Sequence, residues 1–247
     1  MKFQDPLYSH APIKGETVIF AGNNIVEDVV KTTSNFVHHN NECFVVSDGD
    51  ANMHHASLAA SFVSETAIWG YKLVRQRPYY WADKHLLLKR IFRSTNLAIW
   101  QKRREPGIEE GLTASLGIVI VSNTKAWIGS VGDIPIYLYR ESLIDEITPL
   151  DIATDGTMTN MLGIKRLGLV PHIAIENFIV GDCFVIASPS VSEYIDEEEL
   201  RATLEMTGDT EQSVAAALVH ILGVAKEHGS NKSLSACIIK KIRQDSL

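Results

Sequence analysis

The amino-acid sequence predicts an α+β protein: a four-layer αββα sandwich of two antiparallel sheets flanked by helices. Three observations point there. Four short apolar runs follow one another between Leu112 and Ile147, separated by brief polar turns, which is the pattern of antiparallel strands. The long helical patterns fall in separate groups, at 57–104 and 196–229, instead of alternating singly with strands. Strand-like runs stand before, between and after those groups, so each group of helices has a sheet to cover.

The elements follow in order. Residues 1–15 hold two prolines and no clear period, and are expected to be a loosely held N-terminal segment of a single domain spanning 1–247. Thr17–Ala21 reads as a strand that stops at Gly22-Asn23-Asn24. Val26-Glu27-Asp28-Val29-Val30 then sets two carboxylates inside an apolar segment, where each needs a partner, a cation or water. Glu42–Ser47 is the next strand. Ser57–Arg75 is helical in period, with Leu58, Phe62, Glu65, Trp69 and Leu73 on one stripe and Ala59, Val63 and Thr66 on another. Trp81–Arg104 gives a second long helix carrying Leu87, Leu88, Ile91, Thr95 and Ala98 on one stripe. Lys102-Arg103-Arg104 and then Pro106-Gly107 close it.

From Leu112 the period changes to two. Leu112–Val121, Lys125–Val131, Ile136–Arg140 and Leu143–Ile147 read as an antiparallel meander, with Pro135 marking a strand start or edge. Pro149–Leu169 has weak periodicity and reads as a long loop. His172–Phe178 and Cys183–Ala187 are two more strands around the turn Gly181-Asp182. Asp196 with Glu199 is a capping box opening a short helix to Glu205. Asp209 with Gln212 repeats the signature before a stripe of Val214, Ala217, Leu218, Ile221, Leu222 and Ala225, which ends near His228-Gly229. Leu234–Ile242 is the last strand.

Composition narrows the function classes. Apolar residues make up 45% and charged residues 21%, as in ordinary globular proteins, and the formal net charge is −7. That balance argues against a nucleic acid or an anionic membrane as partner. No apolar run approaches the roughly 18 residues that span a bilayer. The first residues lack the apolar core of a secretory signal. Cys43, Cys183 and Cys237 are widely spaced, each in a strand-like run, and read as buried apolar side chains in a reducing compartment. Cytoplasmic location is the expectation.

The stretch with most chemical content is Glu42–His55. An apolar run ends at Ser47-Asp48-Gly49, which puts a carboxylate at a strand end, where sites are built on a rigid frame. Gly49 permits a tight turn or a ligand close to the backbone. By itself the pair reads equally as a turn. His38-His39 and His54-His55 are neighbours in sequence, so in a strand their rings diverge and make poor chelators.

Six stretches, in order, resemble motifs of the metal-dependent type 2C Ser/Thr protein phosphatases. They are Asn23 to Asp28, Ser47 to Asn52, Gly111-Leu112-Thr113-Ala114, Val131-Gly132-Asp133 running on to Arg140, Val180-Gly181-Asp182 running on to Ser188-Pro189, and Gly229 to Ser235. The resemblance implies the same four layers, with a pair of divalent ions at one edge that bind a water and clamp a phosphoryl group. It assigns Asp28, Asp48, the Gly49 carbonyl and Asp133 to residual metal positions. It also shows replacements. Pro189 and Lys232 stand where the family has carboxylates, and Asn23 stands where it has a phosphate-holding arginine. A proline ring has no donor atom, and an ammonium repels a cation. The resemblance thus implies a degenerate, pseudophosphatase-like member with no catalytic residue. It would need no cofactor and would bind a protein partner, with phosphoproteins and kinase-signalling components as the candidates and no nucleic acid or membrane. The alternative is an active phosphatase using Mn or Mg in a site rebuilt with His54, His55, Asp151 or Asp155.

Overall fold

A computed structural model describes residues 16–25, 35–39, 42–50, 52–75, 84–108, 111–122 and 124–243. The chain runs β1 (Glu16–Ile25), β2 (Asn35–His39), β3 (Cys43–Gly49), α1 (Ala56–Arg75), α2 (Lys84–Lys102), β4 (Ala114–Ser122), β5 (Lys125–Val131), β6 (Ile136–Arg140), β7 (Leu143–Glu146), β8 (His172–Asn177), β9 (Cys183–Ala187), α3 (Pro189–Ser192), α4 (Glu197–Glu205), α5 (Glu211–Glu227) and β10 (Leu234–Arg243). Among the described residues these strands form two five-stranded antiparallel sheets, in the orders β1-β10-β9-β6-β7 and β2-β3-β4-β5-β8.

The apolar runs are continuous because the central strands are covered on both faces. In β3, Cys43 and Val45 face α1 and α2, while Phe44 and Val46 face the other sheet. In β9, Cys183, Val185 and Ala187 face α3–α5, while Phe184 and Ile186 enter the middle layer. The result is three apolar interfaces, and each fully buried large side chain contributes about 1.5–3 kcal/mol. The three cysteines are buried and joined in no disulfide, as expected. No helix among the described residues is long and apolar enough to cross a membrane.

Several expectations need correction. β1 does not stop at Gly22-Asn23-Asn24; it continues to Ile25, because β10 supplies partners as far as Leu234. The stretch 112–147 is not one meander. β4 and β5 pair in one sheet and β6 and β7 in the other, so the chain crosses between sheets at Gly132–Pro135. The stripe Leu58, Trp69 and Leu73 on α1 is largely outside, with Trp69 61% exposed. The buried face is Ala59, Ala60, Val63, Ser64, Ala67, Ile68 and Tyr71, because small residues let the helix lie close on β3. Thr210, not Asp209, caps α5, and Asp209 pairs with Lys240 at 2.9 Å instead. The capping box of Asp196 and Glu199 and the buried stripe of α5 are present as expected. Trp81, Ala82 and Asp83 lie outside the described residues.

Candidate functional site

The strand ends named in the sequence converge on one end of the sandwich. In one sheet, Asp48 lies opposite Ser115 of β4 and Asn35 of β2. Leu116 of β4 lies opposite Val131, so the Gly132-Asp133 turn emerges beside the same corner. In the other sheet, Ala236 lies opposite both Ala187 of β9 and Asn23 of β1. Pro189 and Lys232 therefore leave their strands at neighbouring positions.

Gly49 closes β3 without a left-handed turn. A Cβ there would meet the Ala56 carbonyl oxygen at 2.0 Å, so its bare backbone lets the start of α1 pack against the strand. Asp50, which the sequence reading passed over, shapes the connection. Its carboxylate accepts from the Asn52 backbone and side chain at 3.0 and 3.1 Å and from the Thr113 hydroxyl at 3.3 Å. The Asp-x-Asn spacing of such a turn was the available signal.

Asp133 is half-buried. Burial pushes its carboxyl up, while the Ser115 hydroxyl, its own backbone amide and the Lys232 ammonium pull it back, and Asp50 adds to the rise. Lys232 itself is exposed in the segment before β10. Its charge is thus felt at the acidic corner. Gly132, at φ +91°, donates its N–H to the Asp151 carboxylate at 2.9 Å. Asp151 also accepts from Asn160 at 3.1 Å and meets His172 at 2.8 Å, so its oxygens serve the 148–172 strap. Asp155 is exposed and bonded within its own turn to Thr157. His55 offers its carbonyl to Ala59 at the start of α1. His38 bonds Ser64 and His39 packs on Phe20, so that pair diverges as its strand geometry requires.

Pro189 opens α3, where a missing N–H costs nothing. Around it the corner is filled by buried hydroxyls. Ser188 and Ser190 share a hydrogen bond of 2.8 Å, Ser190 donates to the Ser233 carbonyl at 2.5 Å, and Ser230 donates to the Ser190 carbonyl at 2.8 Å. The Ser235 N–H donates to the Ser188 hydroxyl at 3.1 Å, and the Ser188 N–H to the Ser235 carbonyl at 2.8 Å. This serine network was not read from the sequence; its signal was the density of serine at 188–192 and 230–235.

Among the described residues no three His, Cys, Asp or Glu side chains are gathered as a metal shell. Asp48, the Gly49 carbonyl and Asp133 remain at the corner, but Pro189 offers no donor and Lys232 contributes a cation. Asp28 lies outside the described residues, as does the side chain of Asn23.

The remaining expectation for Asp182 was a turn. It is at a turn, and it is also buried as the bidentate partner of Arg140, at 2.9 and 2.7 Å, while accepting from the Ile179 N–H at 2.7 Å.

No protein-family model matches the sequence, and no curated protein matches it. Solved structures do. The Ser/Thr phosphatase PstP/Ppp of Mycobacterium tuberculosis is 16% identical at a TM-score of 0.77, with 92% of this chain and 99% of that one covered. A catalytic domain of PstP in complex with two manganese ions is 17% identical at 0.78, covering 92% and 99%. PppA, a regulatory component of the type VI secretion system in Pseudomonas aeruginosa, is 16% identical at 0.75, covering 92% and 98%. At these identities the likeness is one of architecture. The chain has the fold of the PPM-type Ser/Thr phosphatases, two antiparallel sheets between layers of helices.

Proposed function

We propose that this chain is a catalytically impaired phosphatase-fold protein that works by binding a protein partner. The observation that carries the reading is the pair of replacements at the strand ends: Pro189 opens a turn closed by serine hydroxyls, and Lys232 brings a positive charge to the corner of Asp48 and Asp133. A two-ion phosphatase needs carboxylate, carbonyl and water oxygens there. An ammonium about 4 Å from a divalent ion repels it by roughly 2 kcal/mol in bulk water and about 8 kcal/mol at an intermediate dielectric. Either figure opposes loading of the centre.

Titration calorimetry with Mn²⁺ and turnover of an aryl phosphate test this. The expected result is no tight binding and no turnover in the natural chain, with metal binding gained in a Pro189→Asp/Lys232→Asp variant. Mn²⁺-dependent turnover abolished by Asp48→Asn would overturn it in favour of an active phosphatase with a rebuilt site. That rival draws on one observation, the retention of Asp48, Gly49 and Asp133 together at the corner.

A further inference from the structure

A second concave surface lies away from the strand-end corner, between α2 and the 163–171 segment of the long loop. It is a cleft of about 810 Å³. One wall is α2, which presents Lys89, Arg90 and Arg93; the other is the 166–171 stretch, which adds Arg166. No acidic side chain lines it among the described residues, and α2 contains no Asp or Glu at all. In a chain of net charge −7, that is a local reversal of sign.

The cleft is apolar as well as basic. Leu167 and Val170 are 71% and 70% exposed on its rim, and Leu97 and Leu169 lie deeper. It is also built in advance. The buried Asn96 carboxamide accepts from the Gly163 N–H at 2.9 Å and donates to the Lys165 and Arg166 carbonyls at 2.9 and 3.3 Å. Arg103 donates to the Gly163 carbonyl at 2.6 Å. Arg166 stands over the Trp100 ring at 5.5 Å. The loop wall is pinned to the helix wall, so little ordering cost remains when a ligand enters.

We infer that this cleft docks an acidic segment of a partner protein that carries leucine-like side chains between its carboxylates. Charge complementarity selects the sign, and the exposed Leu167 and Val170 select a peptide over a purely ionic ligand. A nucleic acid would meet the net negative field of the rest of the chain. The inference rests on the reading of the chain as a binding protein and supplies the chemistry of the partner.

The test uses a fluorescein-labelled peptide of about twelve residues, glutamates interrupted by two leucines, titrated against the full chain and followed by anisotropy. Expected is saturable binding weakened by salt, lowered tenfold or more by Lys89→Glu/Arg93→Glu and by Leu167→Asp, and unchanged by Lys125→Glu on β5. Amide shifts on titration should map to α2 and 163–171. Three results would overturn the inference: binding no tighter than that of a lysine peptide, insensitivity to both cleft variants, or tighter binding of a single-stranded RNA through the same residues. Aryl phosphatase activity measured on the same preparation separates the two claims. Turnover removes the binding-protein reading and leaves the peptide result standing, whereas a failed peptide titration removes the cleft alone.

Discussion

The Ser190 hydroxyl donates to the Ser233 carbonyl across 2.5 Å and so joins the turn after β9 to the segment before β10. Both residues are buried, and Ser188, Ser230 and Ser235 extend the same network. Removing the hydroxyl would leave a buried carbonyl and the Ser188 hydroxyl each short of a partner. Ser190→Ala should cost about 1–3 kcal/mol in urea unfolding. A loss below about 0.5 kcal/mol would show that the network does not hold the corner.

The Arg140–Asp182 pair ties β6 to the turn before β9. Asp182 is 1% exposed, and its oxygens meet two guanidinium nitrogens and the Ile179 N–H. Asp182→Ala strands the guanidinium beside that turn and should destabilise the fold by about 3 kcal/mol, near the lower end for broken buried pairs because Arg140 is partly exposed. An Arg140→Met/Asp182→Leu variant should recover part of the loss. Equal destabilisation in both would show that the Ile179 bond, and not the ion pair, is what matters.

Two glycines should respond to alanine with opposite signs. At Gly49 the new Cβ would press on the Ala56 backbone, which cannot rotate away, and a loss of about 1–3 kcal/mol or more is expected. At Gly223 in α5 a Cβ would meet nothing within 4 Å, and the helix gains about 0.5–1 kcal/mol by losing chain entropy in the unfolded state. Thermal melting of the two single variants checks both directions, and a fall in Tm for Gly223→Ala would refute the second.

Stability should fall with acid before the carboxylates titrate. Burial lowers the pKa of His38 from 6.5, with Glu65 opposing, and burial together with the neighbouring His38 lowers His39. A histidine whose folded pKa lies below its unfolded value favours folding fully above 6.5. As the pH drops through 6.5 the unfolded chain takes up protons first, so stability declines until the folded pKa is passed. Urea midpoints between pH 7.5 and 5.5 should decrease, and His38→Gln should flatten the slope. A flat profile in the unmodified chain would contradict this.

Much of the architecture was legible because secondary structure repeats locally. The apolar periods placed β5, β6, β9 and the stripe of α5 within their observed bounds, and the Asp196–Glu199 box marked the start of α4. The position of each strand-end residue was legible too, since Asp48, Asp133, Pro189 and Lys232 could be matched to a motif order. Their surroundings were not: Asp151 bonds Gly132 from nineteen residues away, and the serines that enclose Pro189 come from two segments some forty residues apart.

The sequence by itself determined the α+β class and the order of most elements, but not the short strand β2 or the single turn of α3. The class and that order follow from backbone geometry and side-chain period, which act over a few residues. Only the tertiary structure decided which face of α1 lies inside, that the chain changes sheets at Gly132–Pro135, and that Asn96 clamps a distant loop into a basic cleft. A period announces that a helix has two faces, but the choice between them depends on what lies opposite. Small residues win on α1 because β3 approaches closely, and that closeness is set by contacts no local pattern contains.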